Sequence, residues 1–117
     1  MAAPNIVNVS TITGKTSVQS VGTSATAIVT NSAASGKVFK VNSLLVSNID
    51  GTSSATVNVD LFRSSTAYYI AYTITVPADA TLDLLNKAIY LEEGDSLRLT
   101  ASASGDLQAV CSYEEIS

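Results

Sequence analysis

Glu92, Glu93 and Asp95 close around Gly94, and these carboxylates are where chemistry would first be sought in this sequence. Hard cations such as calcium or magnesium take several oxygen ligands, so a cation site is one reading of the segment. The spacing matches no known cation-binding loop, and a tight turn between Leu91 and Leu97 explains Gly94 and its polar flank more simply. A glycosidase-like pair would need two carboxylates at a set separation, and nothing marks which two they would be. Other constellations fail on composition. The 117 residues include no histidine and a single cysteine, so Ser-His-Asp, Cys-His and histidine-based metal sites cannot be assembled. Neither a Walker-type loop nor a dinucleotide-binding glycine pattern occurs. The chain is expected to be no enzyme, with no catalytic residues, no metal and no cofactor.

Cys111 lies in the apolar run Leu107 to Tyr113 and reads as a small buried hydrophobe, and one cysteine excludes an internal disulfide. The tyrosines Tyr68, Tyr69, Tyr72, Tyr90 and Tyr113 could form an aromatic platform for a sugar. Tyr68 and Tyr72 fall on the apolar face of their segment, where packing in the core or at its rim is the better reading. Tyr69 points the other way and, if it faces solvent, is the best candidate among them for a subunit contact.

The bulk composition narrows the classes further. The length suits one compact domain. Only 14% of the residues are charged, against the usual quarter, and Ser plus Thr make up roughly a quarter of the chain. Such a surface must be covered by hydroxyls and by neighbours. A net charge of -4 with six scattered Lys and Arg argues against nucleic acid, which demands a clustered basic stripe. No stretch approaches the roughly 20 apolar residues of a membrane helix, and the start shows no basic segment followed by an apolar one. The expectation is no membrane partner, and synthesis and retention in the cytosol until assembly.

The elements that must carry these residues are strands, because apolar residues recur mostly at every second position and Thr, Val, Ser, Tyr and Ile crowd the chain. The clearest runs Thr66 to Val76, with Tyr68, Ile70, Tyr72, Ile74 and Val76 on one face. Before it, Val57, Val59 and Leu61 share a face opposite Thr56, Asn58 and Asp60, and the short polar link Arg63 to Thr66 implies a hairpin. Lys37 to Ile49 reads as a long strand whose alternation slips near Ser43 and Leu44, as a bulge or corner requires. Ala25 to Thr30, Ala80 to Leu85, Ala88 to Leu91, Ser96 to Ala101 and Leu107 to Glu114 complete the set. Arg63 and Lys40 read as solvated edge charges that discourage wrong pairing. The expected architecture is an all-β antiparallel β-sandwich, jelly-roll-like, of about eight strands. Residues 1–20 form an N-terminal arm or edge strand and residues 21–117 the sandwich domain. Ile6, Val7, Val9, Ile12 and Val18 are spread among polar residues in that first segment, which suits an edge strand or an arm that adds to a neighbour.

The stretches Val21 to Asn31 (VGTSATAIVTN), Gly36 to Val46 (GKVFKVNSLLV), Val76 to Leu82 (VPADATL) and Ile89 to Leu97 (IYLEEGDSL) resemble the small virion structural proteins of tailed bacteriophages, particularly those of marine cyanobacterial phages. The last stretch is the most specific, an acidic Gly-Asp turn between two apolar strands. The resemblance implies a non-enzymatic sandwich assembled in many symmetric copies, and it brings no catalytic residues. The leading expectation is a capsid decoration, or cement, protein that binds and stabilises the head lattice. Its partners would be itself, with a trimer favoured, and the major capsid protein or other virion proteins. It would reside in the virion, assembled in the host cytoplasm. The contacts to subunit or capsid would be Ile6, Val7, Val9, Ile12 and Tyr69. The alternative is a neck, tail or fibre component, including a carbohydrate- or receptor-binding module.

Overall fold

The computed structural model describes residues 4–117; residues 1–3 of the expected arm lie outside the described residues. Period-two segments rich in Val, Thr, Ile and Tyr build nine strands: β1 (Ile12–Ser20), β2 (Thr26–Thr30), β3 (Val38–Asn48), β4 (Ala55–Arg63), β5 (Thr66–Val76), β6 (Thr81–Asp83), β7 (Ile89–Leu91), β8 (Ser96–Ala101) and β9 (Leu107–Ile116). One sheet runs β1-β9-β3, with β6 and β7 both on the far side of β3, and the other runs β2-β8-β4-β5. Every pairing is antiparallel. β6 pairs with Leu45–Ser47 and β7 with Phe39–Val41, so the two act as one interrupted strand. Counted so, eight strands form two four-stranded sheets, and each connection between them except the β4–β5 hairpin crosses from one sheet to the other. This is the wrapping of a jelly roll, the architecture expected from the sequence.

The core lies between the sheets. Val41, Leu44 and Val46 from β3, Val57 and Val59 from β4, Leu97 and Leu99 from β8, and Leu107 and Cys111 from β9 are all buried there. Burial alone pushes the Cys111 thiol up to about 11, which suits its role as inert packing. The slip expected near Ser43 is a register shift against β9 between Val41 and Ser43. It brings Val41 and Leu44, three residues apart, into the same core. The chain turns at both ends are pinned by buried amides. Asn31 donates to the carbonyls of Lys37 and Leu91 and accepts from the Ser35 hydroxyl; Asn48 donates to Ser53 and Val76 and accepts from the Asp50 N–H. Each amide joins chain segments that sequence separates, at no unsatisfied cost.

The β4–β5 hairpin forms as expected, with Arg63 opposite Thr66. Ser64 and Ser65 both have positive φ, 51° and 61°, the signature of a type I′ turn matched to strand twist. Three expectations require correction. Arg63 is no free edge charge: its guanidinium is bound by Asp95 and Glu92. Lys40 lies on β3, between β9 and β7, and not on a sheet edge. Tyr68 and Tyr72 do not pack into the core, and both are exposed. The physical reason for the last lies in β5 itself. It is the outermost strand of its sheet, and its pairing with β4 steps from Val57–Ile74 to Val59–Ala71 to Asp60–Tyr69. β5 thus carries an extra residue at two places, and each bulge breaks the alternation on which the face assignment rested.

Candidate assembly surface

Tyr69 stands opposite Asp60, on the face of the second sheet turned away from the core. The bulge next to Thr73 brings Tyr72 beside it, and their rings meet edge to face with centroids 4.8 Å apart. Thr73 has φ of 53°, a left-handed conformation seldom adopted by a β-branched residue. Its N–H donates to Asn58 Oδ1 at 2.6 Å, which holds the bulge in place. Tyr69 and Tyr72 are 53% and 64% exposed, and Tyr68, opposite Leu61 at the margin of the core face, is 58% exposed. The neighbouring charges are already matched: Arg98 Nε donates to buried Asp60 at 2.9 Å, and its guanidinium carbon lies 3.8 Å from the centre of the Phe62 ring. The result is an aromatic edge whose nearby charges are neutralised.

A second apolar feature lies on the outer face of the first sheet. Val18, Val110 and Leu45 are in direct register across β1, β9 and β3, and all three are exposed, Val18 at 72%. The rows on either side are Thr16, Ser112 and Ser43, and Ser20, Gln108 and Ser47, uncharged throughout. Asp83 on β6 ends the apolar row. A shallow depression of about 280 Å³, lined by Val18 to Ser20 and Gln108 to Val110, sits at the β1–β9 end of this face.

The contacts expected from the sequence are found in separate places. Ile6, Val7 and Ile12 are exposed and Val9 is half-buried. Their segment is fastened at the chain ends, where Ser10 and Thr11 donate to the Ser117 carbonyl and Ser117 donates back to Thr11. β1 then lies beside β2, with Ser17 and Gln19 side chains donating to the carbonyls of Ile28 and Ala27. β8 and β4 separate β2 from β5, so Tyr69 stands at the opposite edge of the molecule from β1. Tyr72, Val18, Val110 and Leu45 were not among the expected contacts. Val110 carried a signal, being an apolar residue among Gln108 and Ser112 on the polar face of its strand. Tyr72 carried none, because the bulge that moves it is set by pairing with β4.

The acidic turn at Gly94 is a structural clamp. Arg63 Nε and Nη2 reach the two Asp95 carboxylate oxygens at 2.8 and 2.5 Å, and Nη2 also reaches Glu92 at 2.8 Å. Asp95 further accepts the Glu92 N–H, and Glu93 accepts the Gly36 N–H. Burial pushes the Asp95 carboxyl up, but the guanidinium and the N–H outweigh it and hold the group below its ordinary value. At the same end of the molecule, Lys37 and Lys15 hold Glu115 below the ordinary carboxylate range. Among the described residues, no three His, Cys, Asp or Glu side chains are grouped to hold a metal.

No protein-family model matches the chain, and no curated protein matches it. Solved structures do. A chain from the acid-stable capsid of Helicobacter pylori bacteriophage KHP30 superposes with a TM-score of 0.56 at 11% identity, covering 94% of this chain and 90% of that one. A chain from the endospore appendages of Bacillus, a family of disulfide-linked pili, gives 0.52 at 14% identity, covering 92% and 88%. A pentameric capsid protein from metagenomic phage sequences gives 0.43 at 17% identity, covering 98% and 66%. At these identities the first two likenesses are likenesses of fold, and the third overlaps too loosely to add to them.

Proposed function

We propose that this chain is a non-enzymatic structural subunit of a phage virion, and specifically a capsid decoration protein that binds the head lattice as a homo-oligomer, with a trimer favoured. The observation that carries the reading is the pair of uncharged apolar features on the outer faces of a jelly roll in which Asp60, Glu92, Asp95 and Glu115 are engaged in structural ion pairs. Patches of this kind mark contact surfaces on proteins of this size. The fold shared with a phage capsid chain supports the assembly role, and the fold shared with a pilus chain is compatible with it. Cross-linking through disulfides has no counterpart here, because the single cysteine is buried in the core. The marine cyanobacterial host rests on the sequence resemblance alone. A decoration protein works by mass action: binding only the assembled lattice, it stabilises that state.

The exposed Tyr69–Tyr72 pair favours one second reading, a neck, tail or fibre module that stacks a sugar of the host surface on its aromatic rings. Quantitative mass spectrometry of purified particles separates the two. About one copy per major capsid subunit is expected for decoration. A few copies or tens per particle would move the assignment to neck, tail, fibres or special vertices, and absence from particles would sink the virion role.

A further inference from the structure

Among the nine described strands, β1 alone has no side chain in the core or packed against it, and none of residues 4–20 is buried. The strand is held by its ladder with β9, by main-chain bonds of Ser10 and Thr11 with Ser117, and by Ser17 and Gln19, which donate to the carbonyls of Ile28 and Ala27. These cross-sheet and charged contacts can be given up without stranding a group. Glu115, the acceptor of Lys15, keeps Lys37 at 2.6 Å. The Ile28 and Ala27 carbonyls lie on β2, the outermost strand of its sheet, and return to water. Gln19 Oε1 is buried without a hydrogen-bond partner while the strand is seated, a cost that release removes.

We propose that residues 4–20 form an exchangeable strand, and that its seat on β9 takes the same strand of a second copy. This rests on the structural-subunit reading and names a contact by which its copies join. The seat itself fixes the occupant. Ile12 to Ser20 lie against Ile116 to Gln108 in unbroken register, and β1 of a second copy repeats each of those pairings, so exchange is close to neutral in contacts. Concentration then decides between the two states. A tethered strand competes at an effective concentration in the millimolar range, which copies crowded into an assembly match and dilute chains do not. The hinge is equally defined. Val21 is buried and its N–H donates to the Leu107 carbonyl, while the Gly22 carbonyl accepts from the Ala101 N–H, so the body keeps its hold on the chain just after Ser20. At about 3.3 Å per residue the extended segment spans roughly 55 Å, more than the 49 Å length of the whole molecule, and so reaches a neighbour's β9.

The test has two parts, both on the full chain. Native-state hydrogen exchange of the unaltered protein compares β1 with β2, which is also an edge strand but gives Ile28 and Val29 to the core. The hydrogen-bonded amides of β1 should exchange at least tenfold faster than those of β2. The second part uses Cys111, which is buried and stands in register with Ser17. A variant S17C/C111A, checked for folding by circular dichroism, is mixed with the unaltered chain at about 1 mM, where exchange competes with the tethered strand, and oxidised. A disulfide between the two chains at Cys111 forms only when β1 of one copy lies on β9 of the other, because a contact between outer faces does not reach this thiol. The control is T13C/C111A, four positions out of register and too far from Cys111 to bond. The S17C/C111A mixture should give at least tenfold more of the mixed dimer, mapped by peptide mass spectrometry. Protection of β1 equal to that of β2, or equal yields from the two mixtures, would each overturn the proposal. If the chain is nonetheless found in particles, the virion role survives that result, so the two failures can be told apart.

Discussion

Asp95 is the residue on which local sequence and tertiary structure converge. Its place after Gly94 marks a turn, and the turn forms, with Gly94 at φ of 90°. Its partner could not be read from the chain, because Arg63 lies 32 residues away and arrives only when the β4–β5 hairpin is laid beside the entry to β8. The pair makes a pH prediction whose sign follows from the lowered carboxyl. The unfolded group titrates near pH 3.9, at about its ordinary value. Its contribution to stability is therefore present above that pH and is lost as pH falls through the lower folded value. Asp95→Asn should cost about 2 kcal/mol at pH 7, as expected for charge-assisted hydrogen bonds to a buried group. The two proteins should begin to converge below about pH 4 and meet once the pH is below the folded value of Asp95. Urea unfolding at pH 7 and pH 2 checks this, and an equal gap at both would refute the clamp.

Among the elements, β5 and its hairpin depart furthest from the sequence reading. The strand and its turn were legible from alternation and from the polar link at Arg63 to Thr66, but its face assignment was not. Alternation gives the side of a side chain only while the ladder stays regular, and two bulges against β4 remove that condition. The turn carries strain that can be measured. Ser65 sits at φ of 61°, where a non-glycine residue costs about 1–2 kcal/mol. Ser65→Gly should raise stability by about 1 kcal/mol net of the glycine's greater unfolded freedom, read as a higher urea midpoint at unchanged slope. No gain would mean that the strain is relieved by contacts of the serine. Thr73, at φ of 53°, is strained in the same sense beside the tyrosine pair, where its N–H bond to Asn58 Oδ1 holds the bulge.

Over the whole molecule, the jelly roll pairs strands that are far apart in the chain, β1 with β9 and β2 with β8. Loop closure must precede most of the stabilising contacts, so refolding should take milliseconds to seconds or longer, as for all-β domains of high contact order. Stopped-flow fluorescence of the tyrosines measures this, and microsecond folding would contradict the topology. The core that results should be intolerant of truncation. Leu44→Ala, at a fully buried position between the sheets, should cost about 2–5 kcal/mol, measured by the same unfolding experiments. A cost well below that range would mean the core collapses around the missing side chain. The sequence by itself determined the approximate spans of the strands after β1, the hairpin, the break at Ser43, the all-β class and the lack of the residues that common catalytic and metal sites require. These are properties of neighbours in the chain, set by period, turn chemistry and residue inventory. Which strands stand at the edges, and hence that Tyr68 and Tyr72 are exposed and that Val18, Val110 and Leu45 align in one row, only the tertiary structure decided. Edge position and register are set by pairing between strands up to a hundred residues apart, and no local pattern records them.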